Sequence, residues 1–200
     1  MQRGLKRICV FCGSSPGSDP AYVAAARLLG RTLAAEGIGL VYGGGNVGMM
    51  GALANAAVDA GGKVTGVIPE ALMAREVALT ELDDLRVVDS MHSRKALMAD
   101  LSDGFIALPG GIGTLEEFIE VLTWAQLGLH AKPCALLNTQ GYFDTLLHFI
   151  DNIVTARFMA DVHRQLVLTA EEPAALLDAM RTFAPPVFDK AAWAKDLNGR

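Results

Sequence analysis

Short apolar stretches alternate with longer amphipathic stretches along most of the chain. The apolar stretches are four to six residues long, and Gly, Pro or charged residues bound most of them, which is typical of strands buried on both faces. They predict strands at 7–11, 38–42, 63–68, 85–88, 104–108 and 132–137. Apolar residues at helical spacing predict helices at 19–36, 47–60, 114–127, 141–155 and 173–183. A further helix is predicted to begin at Ser90 or Ser93, either of which can be its N-cap, and to end at 101.

Strands that alternate with helices of this length indicate βαβ units, and therefore an α/β fold with a mostly parallel sheet flanked by helices. The apolar fraction of 52% and the mean hydropathy of +0.32 fit such a sheet, because helices cover both of its faces. The 200 residues suffice for one domain with a sizeable core. We expect a single domain at 1–183, followed by a C-terminal tail at 184–200 that contains a Pro-Pro pair.

The charge and composition of the chain argue against several classes of function. The formal net charge of −5 argues against a broad nucleic-acid or membrane-binding surface, so a phosphate ligand has to be met by a few placed cations and backbone N–H groups. No apolar run approaches the ~20 residues that span a bilayer. The basic start at 1–7 is not followed by a signal-peptide pattern, and three cysteines form no disulfide framework. We therefore expect a cytoplasmic protein.

Glycines follow three of the predicted strands. Gly13 comes after the first strand, 43–45 after the second, and 110–113 after the strand at 104–108. In parallel α/β sheets, ligands bind beyond the carboxyl ends of the strands, where glycines allow the backbone to approach them closely. The sequence therefore predicts a phosphate-binding edge built from these three turns.

Three short motifs have plainer explanations. Cys9 and Cys12 form a C-x-x-C, but Cys9 lies within a strand and not at a helix start, so both are predicted to be buried small residues. The G-x-S-x-G at 13–17 has Pro16 where a nucleophile elbow needs a backbone N–H, which argues against a hydrolase of that class. The G-x-G-x-x-G at 43–48 follows the second strand and not the first, so a dinucleotide site with Glu70 as the ribose acid remains a minor alternative.

The segment 109–117 reads P-G-G-I-G-T-L-E-E and joins a strand to a helix. A helix start offers free N–H groups to an anion. Thr114 and Glu117 have the spacing of a capping box, in which Glu117 would only tie down the helix start. Glu116, however, adds a second carboxylate that does not help a phosphate site. Carboxylates there suit a reaction in which a glycosidic bond breaks, because a carboxylate stabilises the oxocarbenium-like sugar and activates water.

Arg94 and Lys95 lie in the first turn of the helix that ends at 101, where cations oppose the helix dipole. One interpretation is that both are solvated at a slight cost. The other is that they hold an anion or a leaving group, for which arginine is well suited. Removal of a first-turn cation relieves the clash with the dipole, so Arg94→Ala is expected to lose activity with little loss of stability. His92 alone indicates no more than a surface histidine.

Taken together, P-G-G-x-G-T-x-x-E at 109–117, S-R-K-A at 93–96, V-Y-G-G-G at 41–45 and T-W-A-Q at 123–126 closely resemble the Lonely Guy family of cytokinin riboside 5′-monophosphate phosphoribohydrolases. The resemblance covers about 8–158. It implies a modified Rossmann fold, a homodimer, and release of an adenine-type base and ribose 5-phosphate from a nucleoside 5′-monophosphate. It implies no metal and no redox cofactor.

The resemblance also implies roles for individual residues. Arg94 and Glu117 would be the catalytic pair: Glu117 would stabilise the sugar cation or activate water, and Arg94 would assist departure of the base or hold the nucleotide. Glu76 corresponds to a substrate-contacting position by alignment alone. The other predicted substrate-binding residues are Ser14, Gly44, Gly45, Met91, Lys95, Gly110, Gly111, Ile112, Gly113, Thr114, Leu115, Glu116 and Thr123.

Alternatives stay open at this point. The protein could be a nucleotide sensor without turnover, or an AMP nucleosidase with no preference for a cytokinin base. Relatives labelled lysine decarboxylase are no guide, because that chemistry commonly uses pyridoxal phosphate on a Schiff-base lysine and no residue here is marked for that role.

Overall fold

The computed structural model describes residues 4–73, 79, 82, 84–187 and 193. Glu76 and most of the predicted tail lie outside the described residues. The strands are β1 (Arg7–Phe11), β2 (Gly39–Tyr42), β3 (Val64–Pro69), β4 (Asp84–Val88), β5 (Gly104–Ala107), β6 (Cys134–Leu137) and β7 (Val167–Ala170). The α-helices are α1 (Pro20–Ala35), α2 (Gly48–Asp59), α3 (Met91–Asp100), α4 (Ile112–Gln126), α5 (Asp144–Thr155) and α6 (Pro173–Thr182).

The seven described strands form one sheet in the order β4-β3-β2-β1-β5-β6-β7, and every neighbouring pair is parallel. The chain winds outward from β1 in one direction as far as β4, and then returns to add β5, β6 and β7 on the other side of β1. The direction therefore reverses between β1 and β5, where Ile8 pairs with Gly104. Ligands of open α/β sheets bind at such a reversal.

Helices cover both faces of the sheet. Side chains of α1, α2 and α6, such as Leu29, Leu53 and Leu176, pack in one apolar cluster with Ile8 and Val10 of β1. The other cluster joins Cys9 and Phe11 of β1 to α3, α4 and α5 through Met98, Phe118 and Ile150. Alternate residues of β1 thus enter opposite layers, as the strand period of two requires.

The α/β fold with a parallel sheet is confirmed, and six of the strands lie within two residues of their predicted bounds. One element was missed: β7 forms the edge of the sheet beside β6, and a short 3₁₀ helix, Asp161–Leu166, leads into it. No glycine or proline separates Val167–Ala170 from the 3₁₀ helix before it, so the sequence carried no boundary signal for this strand.

Candidate active site

The loops after β1, β2 and β5 meet at the carboxyl edge of the sheet, as the glycine clusters predict. The N–H of Gly13, after β1, donates to the carbonyl oxygen of Pro109, after β5, at 3.1 Å. The N–H of Met49, at the start of α2, donates to the carbonyl oxygen of Gly13 at 3.2 Å. These two hydrogen bonds join the three loops around the point where the chain reverses, and we call this region the glycine mouth.

Glycine is needed where the loops touch. A Cβ at Gly110 would collide with the side chain of Thr114 and lie 2.8 Å from the nitrogen of Gly13. Gly48 has a φ of +54°, and a Cβ there would collide with the backbone of Ser14. The loops are therefore in backbone contact, a packing that side chains would prevent.

Helix α4 begins at the glycine mouth with Ile112, and Gly111 occupies the N-cap position without a side-chain hydrogen bond. The capping-box interpretation of Thr114 and Glu117 is therefore wrong. Thr114 is already the third residue of the helix, where it is buried, and Glu117 lies in the second turn. Since the N-cap glycine offers no side chain to the first-turn N–H groups, this helix start is suited to an anion.

The predicted substrate-binding residues of this region lie around the helix start. Gly111, Ile112, Gly113 and Glu116 are exposed; Gly110, Leu115 and Glu117 are half-buried. Ile112 is 81% exposed at the first position of the helix. Ser14 is exposed on the loop after β1, while Gly44 and Gly45 are buried after β2.

Arg94 is buried at 5% exposure, so the interpretation of a solvated side chain is wrong for this residue. Its Nε donates to the carbonyl oxygen of Val67 in β3 at 3.1 Å, and its Nη2 donates to that of Gly43 after β2 at 2.9 Å. A Cβ at Gly43 would collide with Nη2. The guanidinium of Arg94 therefore fills the space at Gly43, the first glycine of the motif that suggested a dinucleotide site.

Lys95 joins α3 to α4. Its Nζ lies 2.6 Å from Oε1 of Glu116 and 3.0 Å from Oε2 of Glu120, and its side chain is 11% exposed. Burial lowers the pKa of Lys95, but the hydrogen bonds to the two carboxylates more than offset that effect, so the pKa lies above its ordinary value. Lys95 is thus a charged ammonium ion between two carboxylates, and its predicted contact with the nucleotide stays a prediction.

The charges of Arg94 and Glu117 both influence the thiol of Cys9 in β1. Burial is the main cause that raises the pKa of Cys9, the carboxylate of Glu117 raises it further, and the guanidinium of Arg94 lowers it. Burial and Glu117 also raise the pKa of Cys12. Both thiols are buried and protonated, which agrees with the prediction that the C-x-x-C is a pair of buried small residues.

Two further predicted contacts occupy different places. Met91 begins α3 and is 41% exposed, with its Sδ accepting from Nη1 of Arg94 at 3.8 Å. Thr123 is exposed on α4, where its hydroxyl donates to the carbonyl oxygen of Ile119 at 2.7 Å. At 1.5 Å per residue, it lies about 14 Å along the helix from Thr114. Thr123 is therefore not part of the helix start.

One residue of the mouth was missed by the sequence. The hydroxyl of Tyr142, after β6, donates to the carbonyl oxygen of Gly110 at 2.6 Å. The signal available was its position after the carboxyl end of a predicted strand, but no motif included it.

A cavity of about 930 Å³ lies at the opposite edge of the sheet, where Arg7, Gly39 and Val64 begin their strands. We assign the site to the glycine mouth instead, because ligands of parallel sheets bind at the carboxyl edge and the predicted catalytic residues lie there.

Within the described ranges, no group of three or more His, Cys, Asp or Glu side chains could hold a metal ion. No helix in those ranges is both long and apolar enough to span a membrane.

Known proteins resemble the chain in sequence and in fold. The family described as "Possible lysine decarboxylase" matches residues 50–180. The "Probable cytokinin riboside 5'-monophosphate phosphoribohydrolase LOGL5" of Oryza sativa subsp. japonica is 50% identical over 94% of this chain and 76% of its own length. The "Cytokinin riboside 5'-monophosphate phosphoribohydrolase LOG1" of Arabidopsis thaliana is 46% identical over 98% of this chain and 93% of its own length.

Solved structures support the fold alone. The molybdenum cofactor carrier protein of Chlamydomonas reinhardtii superposes with a TM-score of 0.66 at 24% identity, over 87% of this chain and 94% of that one. The molybdenum cofactor binding protein of Rippkaea orientalis superposes with a TM-score of 0.64 at 24% identity, over 88% of this chain and 96% of that one. Because the sequence matches cover nearly the whole chain at close to half identity, the chain belongs to the Lonely Guy family, that of the cytokinin riboside 5′-monophosphate phosphoribohydrolases.

Proposed function

We propose that this protein hydrolyses the N-glycosidic bond of adenosine 5′-monophosphate or its N6-modified forms, and releases the free base and ribose 5-phosphate. The observation that carries the proposal is the helix start at the glycine mouth, which has no side-chain cap and has the carboxylate of Glu117 one turn further along. An anion site next to a carboxylate fits a substrate whose phosphate is bound while its sugar becomes cationic.

The phosphate is bound mainly by backbone groups in this proposal. The N–H groups at 111–114 lie at the positive end of α4, and the hydroxyl of Ser14 adds a donor from the loop after β1. Backbone dipoles suit this acidic protein, because its cations at the mouth already have partners. Arg94 donates to the carbonyl oxygens of Gly43 and Val67, and Lys95 pairs with Glu116.

Glu117 supplies the chemistry at the sugar. When the bond between C1′ and the base nitrogen breaks, positive charge develops on the ribose, and a half-buried carboxylate stabilises it. The same carboxylate takes a proton from the attacking water, whose oxygen bonds to C1′. The base leaves with the electron pair of the broken bond and gains a proton, which balances the proton that Glu117 takes up and later releases. Arg94, fixed by its two carbonyl partners, faces the departing base or the nucleotide without having to become ordered during the reaction.

Lysine decarboxylation, which the family description suggests, does not fit Lys95. A Schiff-base lysine must be deprotonated to attack a carbonyl, and such lysines have a lowered pKa. The pKa of Lys95 is instead raised, because Glu116 and Glu120 stabilise its charge. Lys95 therefore stays protonated.

The base preference is a finer part of the proposal. Relatives at 46–50% identity carry cytokinin riboside 5′-monophosphate in their names, which supports an N6-prenylated adenine. An AMP nucleosidase without that preference is the second candidate. The ratio of base release from isopentenyladenosine 5′-monophosphate and from AMP distinguishes the two.

We further propose a homodimer formed through the exposed face of α4, in the cytoplasm. Ile119, Thr123 and Leu127 recur along that face, and Ile119 and Leu127 are 39% and 64% exposed. A second copy packed there would remove this apolar stripe from water. Sedimentation of the wild type and of Leu127→Glu tests the dimer, which the charge is expected to dissociate. The three cysteines are free thiols, which fits a reducing compartment.

The test of the activity is chromatography of the free base after incubation with each nucleotide, without added cofactor. Glu117→Gln is expected to lose about 100-fold or more in kcat, because glutamine keeps the shape of the side chain but can neither carry the negative charge nor act as the general base for water. Glu171→Gln is the control, because Glu171 is an exposed carboxylate with no predicted role, and this variant is expected to keep most of the activity. Nucleotide binding without base release would favour a sensor, and near-wild-type turnover of Glu117→Gln would refute the role of its carboxylate.

A further inference from the structure

The loop that joins β6 to α5 reaches the glycine mouth through Tyr142. The Oη atom of Tyr142 donates to the carbonyl oxygen of Gly110 at 2.6 Å. Gly110 follows Pro109, whose own carbonyl accepts from Gly13. Two successive carbonyl groups of the mouth, those of Pro109 and Gly110, are therefore fixed. The loop after β1 holds the first, and Tyr142 in the loop after β6 holds the second.

Tyr142 is itself held firmly. Its ring packs edge-on against Tyr22, with centroids 5.5 Å apart, and against Phe143 at 5.1 Å. Phe143 is 1% exposed, and its N–H donates to Oδ1 of Asn138 at 2.7 Å. The amide of Asn138 donates in turn to Asp144 at 2.7 Å. The hydroxyl of Tyr142 thus has a fixed position relative to β6 and α5.

The backbone of this loop adopts a costly conformation. Gln140 has a φ of +55°, which side-chain-bearing residues seldom adopt, and Gly141 follows with +68°. Such a conformation persists only where surrounding contacts hold it, and it is often found at functional sites. The contacts of Asn138 with Phe143 and Asp144 hold this one.

The carbonyl of Gly110 and the N–H of Gly111 belong to one planar peptide unit, in which they point in opposite directions. Two consecutive glycines place little steric restraint on a flip of that unit. With the carbonyl bonded to Tyr142, the N–H of Gly111 is held on the opposite side. A flip would break this hydrogen bond and turn the N–H away.

We infer that Tyr142 is a positioning residue that holds the Gly110–Gly111 peptide in the orientation that binds the substrate's phosphate group. The inference rests on the proposed function, since it names the phosphate of that substrate as the group concerned. Tyr142 acts through Gly110 and Gly111, without touching the substrate itself. Loss of its hydroxyl frees the peptide to flip, so that only part of the molecules present the N–H.

Tyr142→Phe tests the inference, with Tyr22→Phe as the matched control. Both variants keep the aromatic contact, but only Tyr142 donates to the glycine mouth, and among the residues that the structure describes the hydroxyl of Tyr22 has no hydrogen-bond partner. We expect Tyr142→Phe to weaken binding of AMP and of ribose 5-phosphate by about 5- to 10-fold, the value of one hydrogen bond. Tyr22→Phe is expected to bind both like the wild type.

Adenosine, which lacks the phosphate, separates positioning from a general effect on the fold. Calorimetric titration with AMP, ribose 5-phosphate and adenosine is carried out in the Glu117→Gln background, so that AMP is not hydrolysed during the measurement. Tyr142→Phe is expected to weaken binding of the first two alone, with the melting temperature within about 2 °C of that of the Glu117→Gln protein. Unchanged AMP binding, or equal weakening for adenosine, would overturn the inference. These titrations need no turnover, so AMP binding without base release in the wild type would refute the hydrolase proposal, and the titrations would still decide the role of Tyr142.

Discussion

Arg94→Ala is the substitution for which the structure and the sequence lead to different expectations. A solvated cation at a helix start would cost little to remove. The structure instead shows Arg94 at 5% exposure, with its guanidinium donating to the carbonyl oxygens of Val67 in β3 and Gly43 after β2. The substitution removes both donors and leaves two buried acceptors at the carboxyl edge of the sheet.

The size of the effect follows from those two hydrogen bonds. An unsatisfied buried acceptor costs about 1–3 kcal/mol, and water that enters the vacated space recovers part of that cost. Two acceptors together therefore destabilise the protein by about 2–4 kcal/mol. For a chain of this size, each kcal/mol lowers the melting temperature by about 2–4 °C, so the expected decrease is roughly 4–16 °C.

Urea denaturation and thermal melting measure the loss, alongside base release from AMP. Arg27→Ala is the control, because Arg27 is an exposed arginine of α1 whose removal is expected to change stability by less than about 0.5 kcal/mol. We expect Arg94→Ala to lose both activity and stability. A variant that melts with the wild type and only loses activity would show that the two carbonyl contacts do not contribute to the fold.

Three further predictions concern the mouth, the acid stability and the thiols. Gly110→Ala places a methyl group against Thr114, and is expected to lower kcat/KM by about 100-fold in a base-release assay through displacement of the loop. Hydrogen bonds to Asp84 from neighbouring side chains lower its pKa, so its stabilisation is present above the ordinary carboxyl range and is lost as the pH falls through the lowered value. The difference in urea midpoint between wild type and Asp84→Asn should therefore shrink from pH 7 toward acid; a constant difference would contradict this. Burial raises the pKa of Cys134 to about 12 and also raises that of Cys12, so a thiol reagent at pH 8 should label the native protein slowly and the urea-unfolded protein at all three cysteines.

The order of elements and the meeting of the glycine loops could be predicted because they depend on local patterns. Strands buried on both faces read as apolar runs, and the carboxyl ends of parallel strands share one edge. Gly13, Gly43 and Gly110 follow three such strands, so their convergence followed from the fold class alone. The edge strand β7 was missed although it is largely apolar, because no glycine or proline separates it from the preceding 3₁₀ helix.

Partners that are distant in sequence could not be predicted. The spacing of Thr114 and Glu117 matches a capping box, but α4 begins two residues earlier, and no local rule fixes that start. The burial of Arg94 depends on where β2 and β3 end relative to α3. The contact between Tyr142 and Gly110 joins two loops from different strands, and only the order of the sheet brings them together.

The placement of β1 between β2 and β5 has a consequence for how the chain folds. Ile8 pairs with Leu40 on one side and with Gly104 on the other, so β1 is complete only after more than half of the chain exists. At about 5–20 residues per second, a growing chain waits roughly 5–20 s between the synthesis of β1 and that of β5. During that interval the free edge of β1 is a template to which a strand of another chain can pair. Such long-range pairing also makes folding slow, because the chain loses the entropy of loop closure before the contacts that offset this loss can form.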